Sequence, residues 1–455
     1  MSTTNPVPER LEHPISDPLF ARLFPRLATG VHFGLDRMTA ALSALGDPHL
    51  KIPAVHIGGT NGKGSVASTT ASILQASGRR TALYTSPHLC SVTERFLVGG
   101  RPLSEARLLE LAAEISDVVV AHGLTFFEAT TLLAFHAFDR EGAEVQVIEV
   151  GLGGRLDATN VLQPLACALT NVQRDHAEFL GESLPEIARE KAGIFKPGVP
   201  VVTAETAPAQ LAVFEQAAER VGTALYTLDP QRDLHDVELG RDHTSFVLET
   251  AAWGRLALTT PLLGRHQAAN AALAVSLVGL LPPELRPSAD AVRAGVAAVQ
   301  WPGRDQLEVV DGRTWLLDVA HNTAGIESLV AVLDRLELPK PHVAVVGVLG
   351  DKDWHLMLPP LLSRMQQAVL TQPPSAPEGR RWDPDEVLAT VRPHLTSNDA
   401  GQEAAVTVEP DFGRALERAR AAAALGGSVI VTGSCHTVGD ALIALDRVPF
   451  EPGPA

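Results

Sequence analysis

A glycine-rich run, Gly58-Gly59-Thr60-Asn61-Gly62-Lys63-Gly64-Ser65, follows the apolar stretch Pro53–Ile57 and opens a helix-like pattern over Ser65–Ala76. Glycines at such a turn let backbone N–H groups close around phosphate oxygens, and the helix N-terminus adds positive potential. Lys63 is placed to neutralise the β- and γ-phosphates of a nucleotide, and Ser65 to reach a phosphate or Mg2+. Asn61, Gly62 and Gly64 complete the loop, although Gly64 between Lys63 and Ser65 departs from the strict GxxxxGK[ST] spacing. The plainer reading is a glycine-rich turn with no ligand, but the lysine, serine and preceding strand together favour ATP. Three further segments offer metal ligands. Ser86 lies in Thr85-Ser86-Pro87-His88, Glu149 ends the apolar run Val145–Val150, and His176 follows the run Ala166–Thr170. A carboxylate in an apolar strand is costly unless a cation meets it. Singly, a serine before proline reads as turn chemistry and a lone histidine as a structural group. Three such residues, each just past a strand, read as a Mg2+ site. Lys191, in Arg189-Glu190-Lys191-Ala192-Gly193, reads from helix logic alone as a charged face ended by a glycine cap.

For these residues to meet, the strands that carry them must end side by side. In open parallel sheets ligands gather at the carboxyl ends of the strands. Apolar runs at Pro53–Ile57, Val145–Val150, Ala166–Thr170, Val199–Thr203, His342–Val348 and Ser428–Thr432 alternate with helical patterns. The helices are expected at Ser65–Ala76, Ser104–Ala121, Ala129–Phe138, Leu184–Gly193, His266–Leu281 and Thr323–Leu336. That alternation predicts an α/β fold with a mostly parallel sheet. Leu239–Leu258 alternates more like an antiparallel hairpin turning around Ala251–Gly254. A helical run over Ser288–Val299 stops at Gln300-Trp301-Pro302-Gly303, and strands resume at Gln306–Val310 and Thr314–Val319. Two domains are therefore expected, 1–300 and a smaller 301–455. Gln372–Arg381 is proline-rich and reads as a surface loop.

Composition narrows the partners. The 455 residues carry 37 basic and 53 acidic side chains, a net charge of −16, which disfavours nucleic acid and anionic membranes as main partners. Cys90, Cys167 and Cys435 are far apart and odd in number, so neither a disulfide framework nor a structural zinc site is expected. Met1–Pro18 lacks the apolar core of a signal peptide, and the longest apolar stretch, Ala271–Leu281, is shorter than a bilayer span. The expectation is a soluble, cytoplasmic protein acting on small molecules.

The segments Gly59-Thr60-Asn61-Gly62-Lys63-Gly64-Ser65, Thr85-Ser86-Pro87-His88, Phe127-Glu128-Ala129-Thr130, Asp175-His176 and Glu190-Lys191-Ala192-Gly193, with the run from Glu149 through Gly153-Gly154-Arg155-Leu156-Asp157-Ala158-Thr159 to Asn160, stand in this order. Together they resemble the dihydrofolate synthase/folylpolyglutamate synthase family of the Mur ligase superfamily, and the resemblance runs from about Gly34 to Gly439. It implies a P-loop ATPase domain of Mur ligase type followed by a smaller Rossmann-like domain. It further implies Mg2+ binding by Ser86, Glu149 and His176, some of it through water, and carbamylation of Lys191 in support of a second Mg2+. Asn270, Arg304 and Asp318 are implied as nucleotide contacts. A pterin side is implied at Phe33, Gly34, Leu35 and Asp36, at Thr125, Phe126, Phe127 and Glu128, and at Leu156, Asp157 and Ala158. Without the resemblance, Phe126 and Phe127 could equally be core, and Asp318 and His321 a helix N-cap cluster. Arg174 and Cys435-His436 depart from the family pattern.

The implied reaction is ATP-dependent ligation of glutamate to dihydropteroate and to folates through an acyl phosphate. Two Mg2+ ions are expected, the protein being a monomer. Lys63, Lys191, Asp318 and His321 are the candidate catalytic residues, the last two as candidates to deprotonate the amine. The alternatives are a monofunctional folylpolyglutamate synthase or, more remotely, another Mur-type amide ligase. Peptidoglycan-type relatives carry a nucleotide-sugar domain ahead of the loop, for which the 58 residues before Gly59 leave no room.

Overall fold

A computed structural model describes residues 18–25, 27, 34–394 and 404–450. Eight strands form the first sheet: β1 (Ala54–Gly58), β2 (Thr81–Tyr84), β3 (Phe96–Val98), β4 (Arg101–Pro102), β5 (Val145–Glu149), β6 (Ala166–Leu169), β7 (Val201–Thr203) and β8 (Leu225–Thr227). Their order is β4-β3-β2-β5-β1-β6-β7-β8, parallel from β2 through β8, with β3 and β4 antiparallel at one edge. β1 sits between β5 and β6, so the phosphate loop, Glu149 and the segment leading to His176 leave three adjacent strands at the same edge. Every residue of β1 and β5 is buried, as expected of strands covered on both faces.

The covering layers follow from the alternation. Ala82, Tyr84, Phe96 and Ile148 point to one side, against the helices Asp36–Ala44, Glu105–Ala121 and Phe126–Arg140. Val55, Ile57, Val145 and Val147 point to the other, against Lys63–Ala76, Arg265–Gly279 and Ala289–Ala298. The helix Lys63–Ala76 is buried almost all round, and small residues let its neighbours approach. A Cβ on Gly295 would collide with the Ile73 backbone, and Ser72 Oγ donates to the Gly295 carbonyl at 2.7 Å. β9 (Leu234–Leu239), β10 (Thr244–Thr250) and β11 (Gly254–Thr260) form an antiparallel sheet, with the expected turn between β10 and β11 and one strand more than the hairpin reading.

A second, six-stranded sheet follows: β12 (Gln306–Val310), β13 (Arg313–Asp318), β14 (His342–Val346), β15 (Gln367–Leu370), β16 (Ala405–Val408) and β17 (Ser428–Thr432). The order is β12-β13-β17-β14-β15-β16, parallel except for β12. Apolar residues on both faces build separate cores. The architecture is thus the expected α/β, with two mostly parallel sheets. Among the described residues no helix is long and apolar enough to cross a membrane.

One buried group gives the first sheet a pH dependence. His56, in the middle of β1, is fully buried, its Nε2 lies 2.8 Å from Thr159 Oγ1, and burial, helped by Lys196, pushes its pKa down to about 3. The unfolded chain takes up this proton below about pH 6.5, while the folded chain does not, so stability falls as pH drops through that window. At pH 5 the loss from this residue is about 2 kcal/mol. Denaturant titrations at pH 7.5 and pH 5 check it: His56→Gln is expected to show a shallower pH dependence than the parent. Equal slopes in the two proteins would rule out His56 as the cause.

Candidate active site

The phosphate loop depends on three of its glycines. Gly59 (φ +133°) and Gly62 (φ +85°) occupy backbone conformations that side chains disfavour. A Cβ on Gly62 would stand 2.5 Å from Asn270 Oδ1, and one on Gly64 would strike the Trp301 ring. Asn61 N–H donates to Asn171 Oδ1 at 3.0 Å and Thr60 N–H to the Asn171 carbonyl at 2.9 Å, which fixes the loop to the end of β6. Lys63 Nζ donates to the Thr60 carbonyl at 3.0 Å. Ser65 Oγ is buried, with no hydrogen-bond partner among the described residues.

Glu149, at the tip of β5, is 3% exposed and accepts the Ser86 N–H at 2.8 Å. Burial raises its pKa, against the opposing pull of Lys63, the Ser86 N–H, Arg304 and Arg95. Lys191 is 3% exposed, and its Nζ donates to the Gly59 carbonyl at 2.7 Å. Burial and the nearby Lys63 bring that amine down to about 7. His176 (φ +53°) is pushed to about 4, first by burial and then by Lys352, His321 and Lys63, with Asp175 opposing. Lys63 thus acts electrostatically on Glu149, Lys191 and His176, and the four side chains share one site.

The most specific motif builds the frame under them. Asp157 caps its own turn, taking the Leu152 N–H at 2.8 Å and the Thr159 N–H at 3.0 Å. Asn160 Nδ2 donates to the Arg155 and Gly193 carbonyls at 2.9 and 3.0 Å, and Arg155 pairs with Glu190 at 2.9 Å. The glycine-rich turn after β5 is thereby locked to the end of the helix that carries Lys191.

The opposite wall belongs to the second sheet. Asn322, which caps the helix Thr323–Leu333, exchanges two hydrogen bonds with Asn61, 2.9 and 3.2 Å long. Lys352 Nζ donates to Asp175 Oδ1 at 2.7 Å, with both side chains about one-tenth exposed. Although burial opposes ionisation of Asp175, His321, His176 and Lys352 hold its carboxyl well below the usual range. Asp318, at the tip of β13, accepts Asp305 N–H and Ala320 N–H, each at 2.9 Å. His321 Nδ1 lies 2.9 Å from the Val319 carbonyl and Nε2 3.5 Å from Asp175 Oδ2. The guanidinium of Arg304 lies over Trp301 at 5.7 Å.

Between the walls lies a cleft of about 1490 Å³. Its lining includes Asn61, Gly62, Lys63, Gly64, Ser65, Ser86, Glu149, His176, Lys191, Asn270, Arg304, Asp318 and His321. It also includes Gly34, Thr125, Phe126, Phe127, Glu128, Leu156, Asp157 and Ala158 from the expected pterin side, but not Leu35 or Asp36, which begin a helix beside it. Phe33 is outside the described residues. The Glu128 carboxylate takes the Thr125 N–H and hydroxyl and two bonds from Arg37, at 2.8 and 3.1 Å, so it fastens the start of its helix to the Asp36–Ala44 helix. Phe126 packs on Phe20 at 4.0 Å between centroids and also lines the cleft. Sequence reasoning missed the Lys352–Asp175 and Asn61–Asn322 pairs. The only sequence signal for the first is Asp351-Lys352-Asp353 just past a glycine.

The donor set fits Mg2+. Serine hydroxyls at Ser65 and Ser86 and a buried carboxylate at Glu149 are hard oxygen ligands, and Mg2+ takes its remaining places from water and phosphate. Among the described residues no group of three or more His, Cys, Asp or Glu converges into a protein-only cage.

Comparison with known proteins is consistent along the chain. Residues 57–278 match the Mur ligase middle domain and 303–435 the "Mur ligase, glutamate ligase domain". The chain is 33% identical to the Bacillus subtilis dihydrofolate synthase/folylpolyglutamate synthase, covering 82% of this chain and 92% of that one. It is 36% identical to a Haloferax volcanii protein named "Probable bifunctional folylpolyglutamate synthase/dihydropteroate synthase", covering 90% of this chain, and it spans about half (48%) of that longer relative. The solved structure of E. coli FolC in complex with DHPP and ADP superposes with a TM-score of 0.81 at 30% identity, covering 95% of this chain and 98% of that one. With the loop, the buried carboxylate and both domain matches in place, the chain belongs to the dihydrofolate synthase/folylpolyglutamate synthase family of Mur ligases.

Proposed function

We propose that the protein joins L-glutamate to dihydropteroate and to tetrahydrofolate-type folates at the expense of ATP. The observation that supports this most is the meeting of Lys63, Glu149 and His176, from segments that leave three adjacent strands, with Lys191 from a neighbouring helix, all facing a second wall across one cleft. We divide the chain into a nucleotide- and folate-binding unit, 1–300, and a glutamate-ligating unit, 301–455, and read it as a cytoplasmic monomer.

A carboxylate does not condense with an amine at neutral pH, because oxide is a poor leaving group. Phosphorylation by ATP makes an acyl phosphate, and the amine then displaces phosphate. Lys63, the loop N–H groups and Arg304 bind and orient the triphosphate and stabilise charge on the transferring phosphoryl group. Bound Mg2+, held by Ser65, Ser86, Glu149 and His176, would supply further charge neutralisation. Lys191, with its amine brought down to about 7, has the unprotonated fraction that carbamylation requires, and the resulting carbamate would present oxygen to a second ion. Asn270 and Asp318 face the nucleotide, while Phe126, Phe127 and the Leu156–Ala158 turn face the flat ring of the acid. The Asn61–Asn322 and Asp175–Lys352 contacts hold the two walls in register.

The deciding experiment offers dihydropteroate and tetrahydrofolate separately, with ATP, Mg2+ and isotopically labelled glutamate, and weighs the products. One added glutamate on each acid is the expected result. Addition to tetrahydrofolate alone would reduce the reading to a monofunctional folylpolyglutamate synthase. ATP hydrolysis with no glutamate in any product would overturn it.

A further inference from the structure

His436 belongs to a polar cluster on the second wall of the cleft. Ser375, His436 and Asp440 all line the cleft. Asp440 Oδ2 accepts the Ser375 N–H and its hydroxyl, both at 3.1 Å. When the single hydroxyl proton points to Asp440, His436 Nδ1, 3.1 Å from Ser375 Oγ, carries its own hydrogen and donates it. That tautomer leaves the lone pair on Nε2.

The helix that carries His436 packs against the loop that follows Ser86. His436 lies in the first turn of the helix Cys435–Ala444, and Gly439, one turn on, is in contact with the loop that follows Ser86. A Cβ on Gly439 would meet the Leu89 carbonyl, and Cys90 Sγ donates to the Gly439 carbonyl at 3.5 Å. The same loop backs onto Glu149 through the Ser86 N–H, and its His88 is within electrostatic reach of His436. The other candidates for handling the amine are held by protein partners. Both oxygens of Asp318 accept backbone N–H groups, and both nitrogens of His321 face oxygen partners.

Resting on the ligase reading above, we infer that His436, oriented by Ser375 and Asp440, receives the ammonium group of the incoming amino acid and takes one of its protons. The freed amine adds to the carbonyl carbon of the acyl phosphate. As the C–N bond forms and the C–O bond to phosphorus breaks, the second nitrogen proton leaves with the phosphate as hydrogen phosphate. Burial, with Arg380 nearby, holds the imidazole down to about 4, so it meets the ammonium uncharged. The negative charge of the acyl phosphate and of the amino acid's carboxylates then raises its affinity for the proton.

Hydroxylamine separates this role from a structural one, because it is an unprotonated nucleophile at neutral pH and needs no acceptor for an ammonium proton. His436→Gln is expected to lower glutamate-dependent kcat by about 10²-fold, while hydroxamate formation from ATP, the folate acid and hydroxylamine stays near the parent level. Ser375→Ala, which releases Nδ1, is expected to produce a smaller loss in the same reaction only. Equal losses with both nucleophiles, or an unchanged glutamate reaction, would overturn the assignment. If the parent protein itself gave no hydroxamate with either acid, the ligase reading would fail, whatever His436 does.

Discussion

Lys63→Ala is expected to lower glutamate-dependent kcat by about 10³-fold, with affinity for the folate acid little changed. The lysine lines the cleft at the proposed triphosphate site, and its charge reaches Glu149, Lys191 and His176. Charge that develops on a transferring phosphoryl group is stabilised most by groups oriented in advance, and away from bulk solvent each is worth more. Phe126, Phe127 and the Leu156–Ala158 turn, which we propose face the folate acid, line the cleft and are held by contacts that do not involve Lys63. Steady-state kinetics and calorimetric titration of the acid divide the two effects. A kcat within tenfold of the parent would remove Lys63 from phosphoryl transfer, and a parallel collapse of acid binding would mean that the substitution had disturbed the loop instead.

The sequence disclosed the parts of this site that are local. Gly59 and Gly62 mark the phosphate loop because only a left-handed turn needs glycine there, and Glu149 stands out because a carboxylate is expensive in an apolar strand. Strand and helix periodicity placed β17 at its observed bounds, and most other elements fell within a few residues, because buried parallel strands read as continuous apolar runs. What could not be read is whatever joins distant segments. The Asn61–Asn322 and Asp175–Lys352 pairs span 261 and 177 residues, and no periodicity encodes that the two sheets face each other. Nor could spacing show that Asp157 and Asn160 brace a turn, that the Glu128 carboxylate is committed to Arg37, or that His436 rests on Ser375. Lys191 is the sharpest case. Helix logic makes it a surface charge, yet its amine ends at the Gly59 carbonyl, 3% exposed, because the Asn160 bonds draw the end of its helix over the loop.

Glu149→Gln separates what the site needs from what the fold prefers. The glutamine is nearly isosteric and keeps an oxygen for the Ser86 N–H, so the β5 tip should hold its shape. In the ligand-free protein burial works against the carboxylate, and the opposing effects of Lys63, Ser86, Arg304 and Arg95 leave its pKa raised, so its charge is a net burden on the fold at neutral pH. Removing that burden should stabilise the free protein by about 1 kcal/mol, the size of a typical single stabilising substitution. The same change removes the hard anionic oxygen that suits Mg2+, and kcat is expected to fall by about 10²–10³-fold. The stabilisation that the parent gains from ATP with Mg2+ should shrink with it, since a ligand stabilises only through its affinity for the folded state. Thermal unfolding with and without ATP and Mg2+, beside the kinetics, reads all three. A variant less stable than the parent without ligand would mean that Glu149 is there to neutralise Lys63 and the arginines. A higher Tm with undiminished activity would remove it from the metal site.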